Sequence, residues 1–347
     1  MKAAILRGGE MVVDDVPDPV PGDGQVLVQT KACGICGSDL HAAKHADHMV
    51  EMTKEAVEST GGGGTSLFGF DTGRDLVMGH EFAAEVLELG AGAAGVSPGQ
   101  IVVSLPVVAD QRGIHAVGYS NDYPGGYAER MLLSAGICLP VPNGLDALHA
   151  ALTEPMAVGL HAVNRSEIGP GTAALVFGAG PVGLAVIAAL RMKGIEPIVA
   201  ADFSARRRQL AATMGAHEVV DPREESAIEA WRRVDGRHPL VIFEAVGVPG
   251  VIDQAMRAAP QQTQIVVVGV CMETDHMQPF MGITKELTVK FSMAYDPMEF
   301  ASTLQSIAEG ELDVDPLITG TVGIDDVPQA FTDLANPDAH AKIVVEP

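Results

Sequence analysis

The chain has 347 residues, 47% of them hydrophobic, with a mean hydropathy of +0.21 and a net charge of −23. That length accommodates two domains with sizeable cores, and no run of about 18 apolar residues marks a membrane span. The acidic balance excludes nucleic acid, which needs a basic face, and disfavours anionic membranes. It leaves room for a phosphate-bearing cofactor held by backbone N–H groups.

Four cysteines are too few for a disulfide framework, so a reducing, cytoplasmic setting is expected. The segment from Met1 to Gly8 lacks the long apolar stretch of a signal peptide and reads as a first strand. Residues 1–155 carry short strand-like runs, such as 25–30 and 100–105, broken by Pro17, Pro19, Pro21, Gly22, Gly90, Gly92, Gly95, Pro98 and Gly99. They predict an irregular, mostly β domain. The run from Gly61 to Gly64 is expected to be a mobile loop. Residues 156–295 change character. Apolar strands at 173–177, 197–201, 240–243 and 264–268 alternate with Ala-rich stretches suited to crossover helices, which predicts a doubly wound parallel sheet. Residues 296–347 hold a helix around 300–309 and a closing strand at 341–345.

Gly178, Gly180 and Gly183 form G-x-G-x-x-G after one of these strands and before a helix that starts near Pro181 and Val182. The first glycine suits a tight turn, the second close approach of backbone to a pyrophosphate, and the third packing of helix on strand. Taken alone, the pattern also fits a plain strand-to-helix turn. The following strand ends at Asp202, 19 positions beyond Gly183 (202 − 183). A carboxylate there accepts ribose hydroxyls and repels a 2′-phosphate, which favours NAD over NADP. Arg206, Arg207 and Arg208 stand close by, with Arg207 a candidate cofactor contact; a solvated helix face paired with acids is the plainer reading for at least two of them.

Cys33 and Cys36 form C-x-x-C, open to three readings: a redox pair, half of a structural zinc site, or a single ligand in Cys36. The third joins Cys36 to His80 and a distant carboxylate, a thiolate, imidazole and carboxylate set that leaves zinc an open position. His41, His45 and His48 share helical spacing and read as a polar helix side. Cys33, Cys138, Cys271, His115 and His161 read as packed or structural.

With these pieces in view, the chain resembles the zinc-dependent medium-chain dehydrogenase/reductase superfamily, the alcohol and polyol dehydrogenases. The matched segments are 36–41, 79–81, Glu154 with Pro155 and 160–162, the Gly178 loop with Asp202, and 268–270, spanning nearly the whole chain in the family's order. The resemblance implies an α/β architecture: a GroES-like catalytic domain over 1–155 and 296–347, and a Rossmann NAD-binding domain over 156–295. It implies that Cys36 and His80 bind zinc, with Glu154 at the position that is Glu in the polyol branch, and with Glu81 beside the metal or exchanging onto it. Asp39 is expected to orient a ligand. Val268, Gly269 and Val270 are expected against the nicotinamide, and Lys342 near the pyrophosphate. Ser38 and His41 are expected to relay the substrate proton by way of the cofactor ribose.

The implied activity is NAD-dependent interconversion of a secondary alcohol, diol or polyol with its ketone or aldehyde, zinc polarising the oxygen. The chain departs from the pattern in places. Residues 105–127, where many relatives carry a four-cysteine lobe, contain no cysteine, so one catalytic zinc and no structural zinc is expected. Ala84 and Gln100 stand where the family has Gly and Asp, changes expected to concern turn and strand geometry. The insert at 42–72 is expected to border the active-site mouth. A homodimer or homotetramer is implied, relatives pairing through the last strand of the nucleotide domain. Two alternatives remain open: a zinc-free quinone or enoyl reductase of the same superfamily, and a non-catalytic nucleotide-binding protein.

Overall fold

The computed structural model describes residues 1–59, 61 and 69–347, so most of the expected glycine loop, from Gly62 on, lies outside the described residues. The chain closes on itself as two compact units. The first comprises residues 1–154, 318–336 and 342–347, and the second 155–317 and 337–341. The helix Pro297–Ala308 falls in the second unit, whereas the sequence placed everything from 296 with the first. Glu299 holds it there, accepting hydrogen bonds from Asn164 at 2.6 Å and from the His161 ring at 2.7 Å.

The first unit is built on a seven-stranded sheet. Its main path runs Ile318–Val322, Lys342–Val345, Gln25–Gly34, Glu81–Leu89, Ile101–Ser104 and Cys138–Pro140, with Arg130–Ser134 also pairing on Gln25–Gly34. Alternation explains the long strand Gln25–Gly34: Val26, Val28 and Thr30 turn inward, and Leu27, Gln29 and Lys31 are partly exposed. Ala84 is buried in Glu81–Leu89, and the Gln100 side chain accepts from the Ser97 amide at 2.8 Å in a turn, so both departures concern backbone packing.

The insert begins as the helix Gly37–Ser59, which kinks at His45 (φ −137°, ψ 39°). The rings of His41 and His45, the latter at that break, lie 5.1 Å apart.

The second unit is a six-stranded sheet in the order Glu218–Val220, Ile198–Ala201, Ala173–Phe177, Leu240–Glu244, Gln264–Val267 and Thr288–Phe291. Every pair is parallel. Ala173–Phe177 and Leu240–Glu244 are buried along their whole length, which is why they read as unbroken apolar runs. Strand order reverses between these two, and a crevice at such a reversal is where dinucleotides bind in doubly wound sheets. Together the units bear out the α/β reading of a mostly β domain joined to a doubly wound one.

Within the first unit, the cysteine-free segment 105–127 is held by a polar hub. The Asp110 carboxylate accepts from Arg112 Nε, the His115 ring and the Tyr123 hydroxyl, each at 2.8 Å. Arg112 and Arg74 both reach Asp122 at 2.8 Å. Partial burial alone would raise the Asp110 carboxyl, but His115, Arg112 and Tyr123 outweigh it and hold it well below the usual range. A depressed carboxyl adds stability above its unfolded pKa of about 4 and loses it as pH falls toward the native value. Asp110→Asn is therefore expected to lower the thermal midpoint and speed tryptic cleavage after Arg112 at pH 7. The difference from the parent should shrink below about pH 4, where the unfolded parent's carboxyl takes up its proton while the native one stays charged. An equal gap at both pH values would count against the hub.

Candidate metal and nucleotide sites

Two chain segments bring the converging candidate ligands together. Cys36 ends the turn between Gln25–Gly34 and Gly37–Ser59. His80 and Glu81 lie at the start of Glu81–Leu89, the neighbouring strand, where Glu81 stands opposite Gly34. Gly79, just before them, has φ +101°, and a β-carbon there would come within 2.9 Å of the Cys33 sulfur and the Tyr127 amide nitrogen. A glycine is thus required to turn His80 inward.

Among the described residues, one group of His, Cys, Asp or Glu converges as a metal site would: Cys36, His80 and Glu81, whose ligand atoms lie within 4.8 Å of one another. Soft sulfur, borderline nitrogen and hard oxygen in a three-donor set suit zinc with an open position. The residues present therefore fit the metal.

Asp39 orders this cluster. It is fully buried. Its carboxylate accepts from the Cys36 amide at 3.0 Å, the Tyr127 hydroxyl at 2.6 Å and the Tyr119 hydroxyl at 2.9 Å, and lies 3.4 Å from His80 Nδ1. With Nδ1 facing Asp39, Nε2 is left for a metal. Burial alone would raise Asp39, but His80 and these donors hold its carboxyl below the ordinary range. Burial likewise would lower His80, and Asp39 and Cys36 outweigh it and raise the imidazole.

Glu81 and Lys342 are each 1% exposed, and Lys342 Nζ meets the two Glu81 oxygens at 2.6 and 2.7 Å and the Ile35 carbonyl at 3.0 Å. This corrects the expectation that Lys342 meets a pyrophosphate, because its donors are turned inward onto Glu81. Burial would lower the ammonium, but Glu81 and Cys36, with a smaller effect from Glu154, raise it and keep it charged. Glu154 sits in the first turn of Thr153–Arg165. It is near enough to act on Lys342 but is not part of the converging trio. Ser38 and His41 are partly buried on Gly37–Ser59, and the Ser38 hydroxyl lies 2.9 Å from that of Tyr119.

Sequence reasoning missed Tyr119 and Tyr127, which stand in no metal or nucleotide motif. Cys33 is fully buried, its thiol pushed well up by that burial, so it does not suit a redox pair with Cys36. Burial pushes Cys138 up to about 11. All four cysteines are free.

In the second unit, Gly178 has φ +89°, and a β-carbon at Gly183 would collide with the Gly178 carbonyl. Gly180 caps Pro181–Met192, with Pro181 at the helix start and Val182 in the first turn. Asp202 accepts from the amides of Ala179 and Ser204, both at 2.8 Å, which ties the glycine loop to the end of the neighbouring strand. The Arg207 guanidinium lies beside Gly180. Arg208 donates to the carbonyls of Asp202 and Phe203 and pairs with Asp221 at 3.0 Å, so of the three arginines it is Arg208 that faces an acid. The Val268 and Gly269 amides donate to the Glu244 carbonyl at 2.8 and 2.9 Å. Those N–H groups are committed, which leaves carbonyls to meet a ligand. Val270 is 65% exposed.

Residues 22–143 match the alcohol dehydrogenase GroES-like domain, and residues 181–309 match the zinc-binding dehydrogenase domain. The (R,R)-butanediol dehydrogenase of Bacillus subtilis (strain 168) is 31% identical over 360 residues, covering 100% of both chains. A probable D-xylulose reductase A of Arthroderma otae is 28% identical over 95% of this chain and 93% of its own. The crystal structure of 2R,3R-butanediol dehydrogenase from Bacillus subtilis superposes with a TM-score of 0.84 at 31% identity, covering 100% of this chain and 99% of that one. A putative zinc-binding dehydrogenase from Sinorhizobium meliloti 1021, bound to NADP, gives a TM-score of 0.83 at 27% identity with the same coverage.

One test follows from the buried ion pair. Lys342→Met strands the Glu81 charge, and losing one partner of a buried pair costs about 3–5 kcal/mol. Denaturant unfolding of the metal-free protein is expected to show that loss. The double variant with Glu81→Leu should recover most of it. A single-variant loss under about 1 kcal/mol would mean that the pair is hydrated or rearranges.

Proposed function

Since the chain belongs to the zinc-dependent medium-chain dehydrogenase/reductase superfamily, we propose that it is a zinc alcohol dehydrogenase that exchanges hydride between NAD and a diol or polyol. The observation that carries this is the convergence of Cys36, His80 and Glu81 in a chain that also holds the Gly178 loop and Asp202. That donor set also weighs against the zinc-free reductase, which needs no thiolate and imidazole here. The butanediol and xylulose enzymes among its relatives favour a diol or polyol over a simple secondary alcohol.

When bound, zinc supplies a Lewis acid that lowers the pKa of a substrate hydroxyl, and the nicotinamide supplies the hydride acceptor. Cys36 and His80 would hold the metal, with Glu81 as third ligand and Glu154 as the alternative. Asp39 fixes the His80 ring. Ser38 accepts the substrate proton and passes its own toward the cofactor ribose, and His41 releases a proton onward. Gly178, Gly180, Pro181, Val182 and Gly183 would cradle the pyrophosphate at the helix start, with Arg207 beside them. Asp202 would accept the adenosine ribose hydroxyls and disfavour a 2′-phosphate. Val268, Gly269 and Val270 would flank the nicotinamide.

We infer a single ion, since segment 105–127 offers no thiolate and is held by Asp110 and its partners. A reducing, cytoplasmic setting fits the four free thiols.

The test is a dehydrogenase assay over secondary alcohols, vicinal diols and sugar alcohols. NAD reduction is expected with diols or polyols, with weaker use of NADP that Asp202→Gly improves. Chelation should abolish turnover while NADH binding persists. Full activity in a metal-free preparation would sink the reading. Zinc analysis of Glu81→Gln and Glu154→Ala then identifies the third ligand as the one whose loss empties the site.

Self-association is a further part of this reading. Thr288–Phe291 is an edge strand, and Phe291 and Met293 beside it are 62% and 57% exposed. Such an apolar edge suits pairing with a second copy. Light scattering is expected to give a dimer or tetramer, which Phe291→Lys weakens. A monomer at all concentrations would refute it.

A further inference from the structure

Tyr119 belongs to no motif, yet it touches three parts of the metal site. Its hydroxyl lies 2.9 Å from Ser38 Oγ and 2.9 Å from Asp39 Oδ1, and its ring packs on His80 with centroids 5.4 Å apart. It is buried, 5% exposed.

One phenol carries one hydrogen and cannot donate to both oxygens. Asp39 decides where it goes. A buried carboxylate accepts and does not donate, and a hydrogen bond to a charged acceptor is roughly twice as strong as one to a neutral hydroxyl. The Tyr119 hydrogen therefore lies toward Asp39, and the phenol oxygen is left as an acceptor. The short approach of Ser38 then requires a hydrogen from Ser38 itself. This gives a chain of one sense, from Ser38 to Tyr119 to Asp39. The remaining acceptor side of the Ser38 oxygen is turned away from Tyr119.

We propose that Tyr119 is a positioning residue for Ser38: ordered by Asp39, its hydroxyl fixes the Ser38 oxygen with its acceptor side free for the substrate hydroxyl. This rests on the reading of Ser38 as the proton acceptor. In the proton step, the Ser38 oxygen gains the substrate proton on its free side, and the hydrogen it held toward Tyr119 leaves that contact for the cofactor ribose; the new hydrogen then takes its place on Tyr119, so the serine stays neutral and Tyr119 undergoes no net change. Without the phenol oxygen, Ser38 is free to turn its hydrogen toward the substrate, and the transfer must wait for it to turn back.

The test is a double-mutant cycle on the zinc-loaded enzyme with Tyr119→Phe and Ser38→Ala. Tyr119→Phe is expected to lower kcat about tenfold, with KM and zinc content nearly unchanged, because a small misplacement costs rate more than binding. The solvent deuterium isotope effect on kcat should rise. In the Ser38→Ala background the same change should cost nothing further, the mark of residues acting as one unit. An equal tenfold loss in both backgrounds overturns the proposal, as does a loss of zinc that accounts for the lost rate. If Ser38→Ala keeps full activity, the role of Ser38 falls and the proposal with it; an additive cycle leaves that role standing and removes Tyr119 alone. Neutron diffraction on the deuterated parent enzyme needs no variant. It should place the Tyr119 deuteron toward Asp39, and a deuteron directed at Ser38 would refute the assignment.

Discussion

The candidate metal site depends on a carboxylate without access to water. Asp39 collects the Cys36 amide, two tyrosine hydroxyls and the near edge of the His80 ring. These groups come from the turn after Gln25–Gly34, from segment 105–127 and from the approach to Glu81–Leu89. A buried charge with so many donors is held in place, since each charge-assisted bond adds about 1.5–3 kcal/mol and a stranded one costs as much. The spacing of Cys36 and His80 is therefore set by the fold with no ion present, the preorganisation that a metal site with an open position requires.

Charge balance follows from the second buried pair. Lys342 lies under the influence of Glu81, Cys36 and Glu154. Lys342 is the ammonium set among the carboxylates of Glu81 and Glu154 and the Cys36 thiol, and it offsets part of their negative charge. Without the metal, Lys342 neutralises Glu81 directly. The same contact limits how far the Glu81 carboxylate can swing. A lysine buried this way acts on the site through the carboxylate it holds.

Much of this architecture was legible because local rules carried it. Strands buried on both faces wrote themselves as apolar runs, and the glycine spacing followed from steric limits at Gly178 and Gly183. Cys36, Ser38, Asp39 and His41 fell within one short segment, so one motif found them together. Lys342 was misplaced because its partner is 261 positions away and a lone cation near the end of a chain carries no sign of what it will meet. Tyr119 and Tyr127 were missed for the same reason: a tyrosine in a turn-rich segment reads as packing until the fold brings a carboxylate to its hydroxyl. The end of the second unit was also hidden, since Pro297–Ala308 has an ordinary amphipathic pattern and contacts made in the fold, those of Glu299 among them, assign it.

Segment 105–127 shows how one constraint serves two ends. Asp110 gathers Arg112, His115 and Tyr123, and the His115 and Tyr123 rings pack with centroids 5.0 Å apart. These contacts fix the hairpin of Val107–Asp110 and Gly113–Ala116. The Tyr119 amide then bonds the Ala116 carbonyl at the end of that hairpin. A segment held by acids and arginines thus delivers one phenol to Asp39 and Ser38. The hub lies at the surface and the phenol inside, so stability and hydroxyl placement are linked through a few residues of backbone. Loosening the hub would blur the hydrogen-bond chain at Ser38 without touching a metal ligand.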